Sequence, residues 1–177
     1  MKRWICLVAF SLIAASPAPA ADRVTPFDEG RLEIALPDGW KATQQTLAGS
    51  DSVAGWESSD RKTSFYVLRL RVASQGNDMR TALRATIDAM DRDDRWLLGK
   101  IGEYRDITLN GLPAVYVRVE LELREGARKS PFVFHFAMVG AADSFFLLQA
   151  STMQPVWQPR EDEIIRMVKS FRVIKEK

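Results

Sequence analysis

The sequence predicts an α+β fold: a largely antiparallel sheet with a long middle helix and a C-terminal helix packed on it. Three observations lead there. Several segments alternate apolar and polar residues with period two. Two segments repeat apolar residues at helical spacing. Tight-turn pairs such as Asn110-Gly111 join neighbouring alternating runs.

The elements follow in order. Arg31 to Leu36 alternates, with Leu32, Ile34 and Leu36 on one face. Pro37-Asp38-Gly39 turns the chain, because Pro presets φ and Gly accepts positive φ. Trp40 opens a second strand and Val53 to Ser58 forms a third. Thr63 to Ala73 is a fourth, with Tyr66, Leu68, Leu70 and Val72 on one side and Arg69 and Arg71 on the other. Gly76 and Asn77 break it. The long middle helix spans Asp78 to Arg92, with Met79, Leu83, Ile87 and Met90 on its apolar face and Asn77 or Asp78 as cap.

Trp96-Leu97-Leu98 reads as an apolar connection. Tyr104 to Leu109 pairs through Asn110-Gly111 with Ala114 to Arg124. There Val115, Val117, Val119, Leu121 and Leu123 point inward, and Tyr116, Arg118, Glu120, Glu122 and Arg124 outward. Phe132 to Val139 and Phe145 to Ala150 are apolar on both faces, so they belong at the covered centre of the sheet. The closing helix spans Pro159 to Phe171, with Ile164, Val168 and Phe171 as its buried stripe. Pro159 suits its first turn, and Glu161, Asp162 and Glu163 suit the positive end of its dipole. Val173 and Ile174 add a short last strand.

These landmarks, in this order, resemble the PsbP-like fold family. The resemblance rests on Leu32-Glu33-Ile34-Ala35-Leu36-Pro37-Asp38-Gly39-Trp40, the helix after the fourth strand, Leu109-Asn110-Gly111-Leu112-Pro113-Ala114, and Val168-Lys169-Ser170-Phe171-Arg172. It covers about Phe27 to Val173. It implies a PsbP-like α/β/α sandwich of the exported bacterial envelope branch, whose members act mostly as accessory, assembly or binding proteins. It supplies no catalytic residues, because one fold hosts unrelated activities.

The start of the chain carries an address. Lys2 and Arg3 precede an apolar run from Trp4 to Ala15, and Ala18-Pro19-Ala20 offers small residues to a signal peptidase. Residues 1–20 are therefore expected to be a signal peptide cut before Ala21, and residues 21–177 a single domain. The rival is a retained N-terminal anchor. The apolar run falls short of the roughly 20 residues a membrane span needs. Of the 177 residues, 157 remain after the 20-residue leader, enough for one well-packed core. Removing Lys2 and Arg3 leaves 23 basic residues from the original 25, equal to the 23 acidic ones. A neutral domain offers no basic footprint to nucleic acid. Cys6, the one cysteine, leaves with the leader, so disulfides and thiolate chemistry leave too. The expected location is periplasmic or secreted, and no cofactor is expected.

The candidate chemistry is sparse. His135 is the one histidine, so a hydrolase would depend on it, whereas a hydrogen-bonded structural histidine asks for nothing else. Asp91, Asp93 and Asp94 crowd one helix end without the ligand spacing of a calcium loop, and Arg92 and Arg95 interleave with them. Arg69 and Arg71 share a face and could hold an anion, or pair across strands. The candidate binding residues are apolar and sit in connections: Trp96, Leu97 and Leu98, and Met153, Val156 and Trp157. They are expected to tuck under the sheet edge or to form a partner patch at one end. The function expected is a non-catalytic accessory or binding protein of the cell envelope, with an envelope protein as partner. The alternatives are an envelope hydrolase using His135 and a folding or secretion helper that cradles apolar client segments.

Overall fold

The computed structural model of the chain describes residues 22–43, 52–71, 78–141 and 144–174. The expected leader, its cleavage position and the break at Gly76 and Asn77 lie outside the described residues. Strands β1 (Arg23–Phe27), β2 (Leu32–Leu36), β3 (Lys41–Ala42), β4 (Ser52–Glu57) and β5 (Thr63–Arg71) precede helix α1 (Met79–Asp91). Then come β6 (Trp96–Ile101), β7 (Arg105–Leu109), β8 (Leu112–Glu125), β9 (Arg128–Ala141) and β10 (Ser144–Met153). A 3-10 turn at Gln154–Val156 leads into helix α2 (Trp157–Ser170), and β11 (Arg172–Val173) closes the chain.

An eight-stranded sheet runs β3-β4-β5-β10-β9-β8-β6, with β7 also paired to β8. Every ladder in it is antiparallel. Strands β1-β2-β11 form a second, three-stranded sheet. The doubly apolar β9 and β10 do lie at the centre, because each of their faces has a core to fill. On one face Phe65, Val67, Ala137, Val139, Phe146 and Leu148 meet Ile164, Met167 and Val168 of α2 and Leu32, Ile34 and Leu36 of β2. On the other, Leu68, Val117, Val119, Phe134, Phe136 and Met138 meet Leu83 and Ile87 of α1.

The turns follow their chemistry. Asn110 and Gly111 both take positive φ, 49° and 86°, as the short hairpin requires. Asp78 caps α1, its carboxylate accepting from the Thr81 amide at 2.7 Å. The middle helix has 13 residues and the closing one 14, so the middle one is not the longer element that periodicity suggested. The closing helix begins at Trp157, ahead of Pro159, which moves Glu161 to Glu163 out of the first turn.

Two strands depart from the sequence expectation. β1 was not foreseen, since Arg23-Val24-Thr25-Pro26-Phe27 lacks clear alternation and is held by pairing with β2. Trp96-Leu97-Leu98 is not a connection but the start of edge strand β6, with Trp96 opposite Leu123 and Leu98 opposite Leu121. Gly99 and Gly102 let this edge approach closely. A Cβ at either would stand 2.9 Å from a β8 carbonyl oxygen, of Glu120 or Arg118. The face expected to be wet on β5 and β8 is also partly roofed. Arg69 lies there beside the core, paired with Asp28 and stacked 5.3 Å over Phe146.

Candidate functional site

Helix α1 sits over β8, β9 and β6 and leaves space beside it on the same face, toward β5 and β10. A groove of about 530 Å³ opens there. Leu68, Leu70 and Leu147 belong to its sheet side, Met90 to its helix side, and Trp96 to β6. Ala85 and Ala89, one helical turn apart, also line it, and their small side chains leave the width open. Thr86, Asp93 and Gln149 are its polar groups. The lining is thus mostly apolar with a few polar points, the composition of small-ligand sites. Trp96 is fixed edge-on against Phe134 at 5.4 Å and Phe132 at 6.0 Å.

The predicted binding residues divide between two faces. Trp96 and Leu98 pack with α1's core. Alternation along β10 puts Met153 on that face too, level with Phe132. Leu97 points the opposite way and is 42% exposed. Trp157 lies on α2's side of the sheet, its ring 4.8 Å beneath the Arg118 guanidinium. Trp96 and Trp157 therefore do not meet in one patch. Of the groove residues, sequence reasoning offered only Trp96 for binding and passed over the rest, Ala85, Ala89 and Leu70 among them. Their signal was an alanine pair at i and i+4 on a helix, facing a strand with leucines at alternate positions.

His135 lies on α2's face, level with Arg118 on β8 and Ala150 on β10. It is fully buried. Its Nδ1 is 2.6 Å from the Tyr116 hydroxyl, and its Nε2 has no hydrogen-bond partner among the described residues. Burial, helped by the Arg118 charge, pushes its pKa down to about 4, so the ring is neutral at pH 7. Burial, with the Glu161 carboxylate nearby, raises the Tyr116 phenol to about 12. The pair is a neutral contact whose histidine is shut away from solvent, while the Tyr116 ring is half-buried.

Two of the other charged candidates, Asp93 and Arg69, are already engaged, and the Arg71 side chain lies outside the described residues. Asp93 accepts from Arg95 at Nε, Nη2 and the backbone amide, which holds its carboxyl down to about 2. Among the described residues no group of three metal-ligating side chains converges. Arg69 is neutralised by Asp28. No described helix is long and apolar enough to cross a membrane.

No family model and no curated relative matches the sequence. Solved structures do. Cyanobacterial PsbP from a Synechocystis species is 16% identical, with a TM-score of 0.59 over 90% of this chain and 96% of that one. The Ran-binding protein Mog1p of Saccharomyces cerevisiae is 10% identical, with a TM-score of 0.56 over 87% of this chain and 96% of its own. LpqN of Mycobacterium tuberculosis, a protein involved in cell envelope biogenesis, is 11% identical, with a TM-score of 0.54 over 81% and 83%. Identities this low speak for architecture alone. Together with the order of strands and helices, they establish that the chain has the PsbP-like fold.

Proposed function

We propose that this chain is an exported, non-catalytic binding protein of the bacterial cell envelope that holds a neutral apolar ligand between α1 and the sheet. The observation that carries this reading is the groove of about 530 Å³ walled by Leu68, Leu70, Leu147, Met90 and Trp96. Its volume falls in the range of about 300–1,000 Å³ that small-molecule sites occupy. The basic start, the apolar run and Ala18-Pro19-Ala20 support export with cleavage before Ala21. The structural likeness to LpqN, an envelope biogenesis protein, supports the compartment. The buried, Tyr116-bonded His135 weighs against the hydrolase alternative.

The test is to purify the protein from its own envelope and analyse organic extracts by mass spectrometry. An apolar molecule should co-purify with the wild type and be lost from an Ala85→Leu/Ala89→Leu variant that fills the groove. Equal recovery from both would remove the groove from the account. Recovery of a bound polypeptide instead would favour the client-cradling alternative.

A further inference from the structure

On the opposite face, the β7–β8 turn is tied to the end of α2, Asn110 donating to the Lys169 and Phe171 carbonyls, but a gap remains between the helix and the strands. Two adjoining cavities run along that seam and share Arg105 and Tyr116. The first, about 210 Å³, is walled by Ile107, Ile165 and Val168, with Lys169 exposed beside them. The second, about 340 Å³, is lined by Lys100, Glu103, Arg118 and Glu161 as well as the shared pair. The Tyr116 hydroxyl is turned inward to His135, so Tyr116 offers its ring rather than its polar tip to the seam.

The charges around the seam are loosely held, with one more cation than carboxylates. Lys100, Arg105, Arg118 and Lys169 face Glu103 and Glu161, with Glu120 beside Arg118. Arg105 meets Glu103 at 3.4 Å. Arg118 meets Glu120 at 3.4 Å and Glu161 at 3.9 Å. These distances exceed the roughly 2.7–2.9 Å of a tight charge-assisted bond. No ion pair engages Lys100 or Lys169 among the described residues. Arg118 is positioned from behind by the Trp157 ring, so its guanidinium is held in place without a strong carboxylate partner.

We propose that this seam is a second binding site, for a small acidic amphiphile. Its anionic head would lie among Lys100, Arg105 and Arg118, and its short apolar part would lie against Ile107, Ile165 and Val168. The pairing of an apolar compartment with one whose cations are loosely held, across Tyr116, is what selects this chemistry. A purely apolar ligand would leave the cations unused, and a bare anion would leave the apolar walls wet. This site is on the other face from the α1 groove and does not rest on that reading.

The experiment is a two-dimensional NMR titration of the exported protein with octanoate, octyl glucoside and inorganic phosphate, each run separately. Octanoate should give saturable shifts at residues 100–107, 116–118 and 161–169. Octyl glucoside and phosphate should each bind at least about tenfold more weakly. Lys100→Glu/Arg105→Glu, both exposed positions, should weaken octanoate by a similar factor while keeping the folded spectrum. Raised salt should do the same to the wild type. Three results would overturn the proposal: octanoate shifts confined to α1 and β5, equal affinity for octyl glucoside, or affinity unchanged by the charge reversal. Tight binding to phosphatidylglycerol vesicles with no octanoate binding would also overturn it, since that identifies a membrane-facing charge patch.

Discussion

The Tyr116 hydroxyl lies 2.6 Å from His135 Nδ1, and the histidine is closed off from solvent on every side. One residue is on β8 and the other on β9, so the bond ties two central strands beneath α2. The contact turns the lone histidine into part of the core. It also sets a pH dependence.

His135 charges near pH 4 when folded, against an ordinary value of 6.5 unfolded. Between those values the unfolded chain binds more protons, so stability rises with pH there. The contribution is complete above 6.5 and is lost as pH falls toward 4. Its size is at most about 3 kcal/mol. Urea melts at stepped pH should show this slope. His135→Leu/Tyr116→Phe, which removes both polar partners, should flatten it. An unchanged slope in the double variant would assign the acid sensitivity to other groups.

The second prediction concerns the clamp at the start of α2. Trp40 Nε1 donates to Glu163, and Arg160 pairs with Glu163 at 2.9 Å and with Asp60 at 3.4 Å. The cluster joins the β2–β3 turn, the β4–β5 hairpin and α2. Glu163→Ala leaves the nearly buried Trp40 indole without its acceptor and should cost about 1–3 kcal/mol in denaturant melts. A loss below about 0.5 kcal/mol would mean that the cluster is solvated and weak.

The third prediction separates the two tryptophans. Trp96 packs on Phe132 and Phe134, so Trp96→Ala should lower the melting temperature and disturb the α1 groove. Trp157 mainly faces Arg118, so Trp157→Ala should cost less, about 0.5–1 kcal/mol. Equal losses would contradict the packing of Trp96 against Phe132 and Phe134 as the stronger of the two contacts.

The fourth prediction tests the β6 edge. Gly99→Ala or Gly102→Ala places a methyl 2.9 Å from a β8 carbonyl oxygen. Each should cost about 1–3 kcal/mol by overpacking and loosen β6 in hydrogen exchange. Tolerance at both sites would show that this edge is not held against β8.

β5 and β8 were legible because a period of two survives along them, and β9 and β10 because they are apolar on both faces. The Asn110-Gly111 turn was legible because few residues accept positive φ. Trp96 to Leu98 was misplaced because three apolar residues beside glycines look alike in a loop and in an edge strand, and only the partner strand distinguishes them. The face of Tyr116 and Arg118 read as solvent because alternation shows which residues share a side, not what later covers it. That cover is α2, whose first residue, Trp157, lies 41 positions after Tyr116. The site was less legible still. Ala85 and Ala89 matter for the space they leave, and sequence marks side chains that are present.

The most direct test of the central claim is the binding of a neutral apolar dye, Nile red, to the purified protein. The account predicts saturable one-to-one binding with quenching of tryptophan fluorescence that disappears in Trp96→Phe. It also predicts loss of binding in the groove-filled Ala85→Leu/Ala89→Leu variant, with folding intact by circular dichroism. Saturable binding that survives the filled groove would contradict it.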